Sequence, residues 1–262
     1  MVGGQNTEVN EYPWMVALKR AGYLPSCGAS LLNSRWLVTA GHCDDSSLVL
    51  DIAVIGEHDL NTQTETVFTI VRYHITSHIT HHTSHITHHT LQPGGSTVKL
   101  CFLQERKVQK RIRHPAYNSW SLVNDIALFR LEEPVDTQVY NPVCLPPRSK
   151  DYTGKTGWVL GWGTTSESGE RATVLQELEL QVVDDGTCYD KMNGQTYADE
   201  QLCAGGEKGK DGCQGDSGGP FVHDNQGQFE LAGLTSWGYG CARPDKYGIY
   251  TEISRKSLTS DL

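Results

Sequence analysis

Apolar residues in this chain come in short runs separated by Gly, Pro and Asn. Trp36-Leu-Val-Thr-Ala40 and Asp125-Ile-Ala-Leu-Phe-Arg-Leu131 are two of them. Their length suits short strands, and no long stretch of helical periodicity occurs before the last few residues. The pattern predicts an all-β protein. With 262 residues, the chain can form one large domain or two small ones around a well-buried core. No apolar stretch approaches the ~20 residues of a membrane helix. A net charge of −9 argues against a nucleic-acid surface and against a polybasic membrane anchor.

Composition adds a redox context. The eight cysteines include no zinc-like Cys-x2-Cys pair, which points to disulfides and a secreted, extracellular protein. The chain opens Met1-Val-Gly-Gly without a secretory leader, so either the leader has been removed or the sequence begins inside a longer precursor.

Three stretches carry candidate chemistry. Asp211-Gly-Cys-Gln-Gly-Asp-Ser-Gly-Gly-Pro220 frames Ser217 with glycines. A serine hydroxyl is a poor nucleophile until a base takes its proton and N–H groups hold the resulting oxyanion. Trp36-Leu-Val-Thr-Ala-Gly-His-Cys43 ends a strand-like run at His42, a candidate base. Asp125 opens the run to Leu131, which draws it inward. A buried carboxylate needs hydrogen-bond donors, and a histidine N–H is a suitable one.

Together with Val2-Gly-Gly, Gly161-Trp-Gly163 and Ser236-Trp-Gly238, these stretches resemble the chymotrypsin-fold serine proteases of the trypsin-like, Arg/Lys-specific branch. The chain order His, Asp, Ser is that family's order. The resemblance covers about residues 2–70 and 107–253. It implies two antiparallel six-stranded β-barrels, the first over about 1–136 and the second over about 137–262, with a short C-terminal helical segment. It implies that Ser217 attacks the scissile carbonyl, His42 shuttles the proton and Asp125 orients His42. The N–H groups of Gly215 and Ser217 would form the oxyanion hole. Asp211 would lie at the base of a specificity pocket walled by Gly238 and Gly248, selecting Arg or Lys. Ser236, Trp237 and Gly238 would pair with the substrate backbone. Asp216 would pair with the α-amine exposed when a zymogen's pro-segment is cut. The family usually begins there with a branched aliphatic residue, and Met1 occupies that place.

The same resemblance implies the bridges Cys27–Cys43, Cys188–Cys203 and Cys213–Cys241, leaving Cys101 and Cys144. Cys144 matches a position that tethers an upstream chain in many relatives. Expected partners are proteins or peptides with Arg or Lys at the cleaved position, and protein protease inhibitors. No cofactor is required. Glu57, Asp59, Thr62 and Glu65 lie in a segment resembling the trypsins' calcium loop, which also reads as an acidic surface loop. Tyr247 stands where sodium-binding relatives carry tyrosine, so activity would be higher in sodium than in choline.

Residues 71–106 depart from the family. Ser77-His-Ile-Thr-His-His-Thr83 is repeated unchanged as Ser84–Thr90, and seven of the 11 histidines fall between His74 and His89. Repeated imidazoles would ligate zinc or copper; the tract also reads as a low-complexity surface insertion. At the far end, Arg255-Lys-Ser-Leu-Thr-Ser-Asp-Leu262 is shorter than the family's closing helix and lacks its apolar anchors, which predicts lower stability than relatives. The main alternative function is a catalytically silent protease homologue acting as a binding module. A metal-sequestering His-tract protein and a non-functional translation are two others.

Overall fold

The structure, a computed structural model, describes residues 1–45, 47–62, 66–71 and 97–256, with side chains of 66–71 and 97–102 left out of the description. Its first part carries β1 (Gln5–Asn6), β2 (Met15–Lys19), β3 (Cys27–Leu31), β4 (Trp36–Thr39), β5 (Ile52–Ile55), β6 (Thr66–Val71), β7 (Thr97–Phe102), β8 (Gln104–Arg113) and β9 (Ala127–Leu131). The second carries β10 (Thr156–Gly161), β11 (Gln176–Val183), the helix α1 (Asp185–Lys191), β12 (Gln201–Gly205), β13 (Pro220–Asp224), β14 (Phe229–Trp237) and β15 (Tyr247–Glu252).

Antiparallel pairing closes β2-β3-β4-β9-β8-β5 into one barrel. The strands β11-β10-β13-β14-β15-β12 close into another through the β11–β12 pairing. The fold is therefore the two-barrel, all-β architecture expected from the motifs. Closure removes exposed strand edges, which would otherwise invite pairing between chains. Alternation sets the inward faces: Ala127, Phe129 and Leu131 of β9 are buried while Leu128 and Arg130 are half-buried. A set including Trp162, Leu175, Val222, Leu231 and Leu234 of the second half joins the first barrel's core. The two barrels thus share an apolar seam, which burial of apolar surface holds shut.

Asp184 caps α1 by accepting from the Thr187 backbone N–H at 2.9 Å, as a carboxylate does at a helix start. Beyond β15, Ile253–Arg255 makes a single 3-10 turn with Ile253 in the shared core; residues 257–262, and the stability reading that rests on them, lie outside the described residues. Among the described residues no helix is long and apolar enough to cross a membrane.

Two features differ from the boundaries drawn on the sequence. Residues 1–6 lie on the second barrel: β1 pairs with β11, and the Met1 side chain is buried with Leu178, Leu180, Phe221 and Ala232. Burying the Met1 side chain there is favourable through the apolar surface it removes from water. β6 and β7 pair with each other in a separate hairpin, and the barrel chain resumes at Gln104, where β8 pairs with β5. The His-rich repeat lies outside the described residues, as do Glu65 and the Cys101 side chain.

Candidate active site

β4 ends at Thr39, and a 3-10 turn over Gly41–Asp44 follows at once, setting His42 at the mouth of the first barrel. Cys27 is bonded to Cys43, which ties this turn to β3. Asp125 stands just before β9, the strand paired with β4, so the barrel's own register brings the two residues together. The Asp125 side chain is fully buried. One of its oxygens accepts the His42 backbone N–H at 2.8 Å, and the other lies 2.8 Å from His42 Nδ1. The second oxygen also accepts the Ser236 hydroxyl at 2.5 Å. Thr251 donates to the Asp125 carbonyl at 2.8 Å, so the second barrel grips the acid from behind. Three donors in a dry site hold the carboxylate in one orientation.

Ser217 arrives from the second barrel. Its carbonyl accepts the Gly28 N–H at 2.8 Å, a bond that crosses from β3. The next residue, Gly218, has a positive φ of 72°, and a Cβ there would run into Thr39 and come within 2.7 Å of the Gly28 carbonyl. Only glycine lets the serine loop close this tightly on the turn bearing His42. The structure thus brings the three sequence-predicted residues to the junction of the barrels.

A cavity of about 160 Å³ opens beside Ser217, lined also by Asp211, Gly212, Cys213, Gln214, Ser236, Trp237, Gly238 and Gly248. Asp211 is buried, and its Oδ2 accepts the Ala242 N–H at 2.9 Å. A Cβ on Gly248 would lie 3.0 Å from Asp211 Oδ1, so a side chain there would crowd the acid. Burial pushes the Asp211 carboxyl up to about 6, against the opposing pull of the Ala242 and Gly212 N–H groups. Cys213 and Cys241, both lining this cavity, are bonded to each other, and Cys188 of α1 is bonded to Cys203 of β12. Cys144 is free among the described residues and receives a contact from the Gln228 amide.

Asp216 is fully buried. Its carboxylate accepts N–H groups of Gly163 at 2.8 Å and Cys213 at 2.9 Å, and the Met1 ammonium lies 3.0 Å from Oδ2. Met1 also donates to the Thr164 carbonyl at 2.5 Å. Each ionic partner satisfies the other, which makes burial of both charges tolerable. The pair also explains Gly161-Trp-Gly163: a Cβ on Gly161 would run into the Asp216 carboxylate, and one on Gly163 would lie 2.5 Å from its carboxyl carbon.

Several contributors are invisible to motif reading. The Ser236 hydroxyl donates to Asp125, a contact separate from the backbone pairing expected of this segment. Glu167 pairs with Arg243 at 2.7 Å and accepts the Cys241 N–H at 3.2 Å, bracing the cavity rim. Neither had a spacing that would have revealed it.

The loop read as a calcium site is described as far as Thr62. Asp59 accepts the Asn61 N–H at 3.1 Å, and Thr62 donates to the Asp59 carbonyl at 3.1 Å. Among the described residues, the grouping of three metal-ligand side chains is Cys27, His42 and Cys43, and its two cysteines are joined to each other. Glu65, the remaining acid of that loop, lies outside the described residues. Tyr247 opens β15 with its backbone N–H facing Met192 Sδ at 3.5 Å.

Comparison with known proteins bears directly on this geometry. The sequence model described as Trypsin matches residues 1–100 and 94–258. The chain is 35% identical over 266 residues to suppressor of tumorigenicity 14 protein homolog of Bos taurus, across 97% of this chain and 27% of that protein. It is 34% identical over 268 residues to serine proteinase stubble of Drosophila melanogaster, across 97% of this chain and 30% of that one. The chain spans less than a third of these relatives. Barrels, cleft and family match agree: the chain belongs to the trypsin family of serine endopeptidases.

Proposed function

We propose that this chain hydrolyses peptide bonds on the carboxyl side of Arg or Lys through an acyl-enzyme on Ser217. His42 takes the Ser217 proton as the oxygen attacks the scissile carbonyl. The Asp125 carboxylate accepts from Nδ1–H, which leaves Nε2 free to act as the base and stabilises the imidazolium formed. The N–H groups of Gly215 and Ser217 receive the oxyanion. His42 then protonates the departing amine, and water repeats the sequence to free Ser217.

The observation that carries the specificity is the buried Asp211 in the cavity beside Ser217. A carboxylate in a poorly hydrated slot favours a long cationic side chain through charge-assisted hydrogen bonds. Truncating one partner of such a pair costs about 2–5 kcal/mol. Asp211→Ser is therefore expected to lower kcat/KM for arginyl peptides by roughly 10²- to 10³-fold. An unchanged arginyl preference would contradict the assignment.

The raised pKa gives a second test. Below about 6 the free Asp211 is neutral and loses its attraction for a cation. Affinity for benzamidine, itself cationic throughout, is expected to fall as the pH drops through 6, by about tenfold per unit below it. Constant affinity between pH 7.5 and 5 would argue against Asp211 as the anchor.

An α-amine at residue 1 completes the working site, supported by the buried Met1–Asp216 pair. Removing one partner of a buried ion pair costs about 3–5 kcal/mol. Acetylating the Met1 amine is expected to lower kcat/KM by roughly 10²-fold or more. Full activity of the acetylated chain would show that this pair is dispensable. The three disulfides suit a secreted setting. Inhibitor proteins presenting Arg or Lys to the same cavity would compete with substrate.

A further inference from the structure

Arg171 sits between β10 and β11, half-buried, on a bridge with Thr164. A Cβ on Gly215 would lie 3.1 Å from both Cζ and Nη2 of Arg171, so the guanidinium rests against the Gly215 peptide. Nη1 donates to the Pro25 carbonyl, which anchors the side chain to the segment leading into β3. Nearby Arg243 has Glu167 as its carboxylate partner. Arg171 has no ion pair among the described residues. A guanidinium offers five N–H donors, and a half-buried one gains most from an anion that water cannot screen.

The location gives that anion a source. The cavity with Asp211 and the Ser236–Gly238 segment lie together beside Ser217, and neither Gly215 nor Arg171 lines that cavity. Gly28, three residues after Pro25, is bonded to Ser217 from the first barrel. A peptide with its basic side chain in the cavity and its scissile carbonyl at the Gly215 and Ser217 N–H groups carries its departing segment past Gly215, over the face formed by Arg171 and the Pro25 carbonyl it binds. We propose that Arg171 is a specificity-determining residue that selects an acidic side chain at one of the first two positions after the scissile bond. The proposal rests on the reading of this cleft as an Arg/Lys-directed peptidase site.

The test compares quenched peptides with one arginine and Glu, Ala or Lys at the first or second position after it, alongside an arginyl arylamide without a departing peptide. The wild-type chain should cleave the arylamide. At one position or the other it should favour Glu over Lys by about tenfold in kcat/KM. Arg171→Ala should bring that ratio close to one, and Arg171→Glu should invert it. The ratio is internal to each variant, so loss of folded protein cannot mimic the result. A ratio unchanged in Arg171→Glu at both positions would overturn the subsite while leaving the peptidase reading intact. A wild-type chain inert toward the arylamide would overturn both.

Discussion

Ser217→Ala is expected to lower kcat/KM for an arginyl peptide by about 10⁵- to 10⁶-fold, with the fold unchanged. The expectation follows from the distribution of roles. Without the hydroxyl there is no acyl-enzyme, and His42 has no serine proton to take. What remains is binding in the Asp211 cavity and the N–H groups of Gly215, which leave a residual acceleration of about 10³- to 10⁴-fold over water. Nothing that holds the loop depends on the hydroxyl: Gly28 grips the Ser217 carbonyl, and Gly218 and Gly219 pack the turn. The thermal midpoint should therefore stay close to that of the parent chain, and benzamidine should bind as before. Retention of more than about a thousandth of the activity would mean that another group attacks the carbonyl.

Asp125→Asn should cost about 10⁴-fold in kcat, for a reason readable in the hydrogen bonds. One carboxylate oxygen accepts the His42 backbone N–H, and the other faces Nδ1 and the Ser236 hydroxyl. An amide in the same place has one oxygen. If that oxygen keeps the backbone N–H, the NH₂ group faces Nδ1. The ring must then accept at Nδ1 and carry its proton on Nε2, where it cannot take the Ser217 proton. Substrate binding in the Asp211 cavity should change little, so the loss should lie mainly in kcat. A variant with kcat within tenfold of the parent would show that Asp125 is only a structural support.

His42 and Asp125 stood out in the sequence because one ends and the other begins an apolar run, and Ser217 because glycines frame it. Trp36–Thr39 delivers His42, and Ala127–Leu131 follows Asp125. The register between β4 and β9 then joins residues far apart in sequence. The two-barrel fold was legible through the motifs more than through alternation. β8 shows why: Gln-Glu-Arg-Lys-Val-Gln-Lys-Arg-Ile-Arg is polar at nearly every position, because long cationic side chains cover the barrel wall with their stems while keeping their charges wet. Hydrophobic periodicity therefore could not locate its start at Gln104. The position of residues 1–6 was equally hidden, since nothing local in Gln5-Asn6 marks β11 as their neighbour. Arg171 and the bond from the Ser236 hydroxyl to Asp125 escaped for a related reason. Their partners, Asp125 and the Pro25 and Gly215 backbone, meet them only when the two barrels close on each other. The intact His42–Asp125 contact and the paired Asp216 also tell against a silent homologue, whose site need not keep either.

The most direct measurement is the mass of the chain after brief exposure to a guanidinobenzoyl ester, an arginine-like acyl donor that deacylates slowly. The account predicts one guanidinobenzoyl group per chain, carried on Ser217, matched by a stoichiometric burst of released alcohol and absent from Ser217→Ala. An unmodified chain, or acylation at another residue that persists in Ser217→Ala, would contradict it.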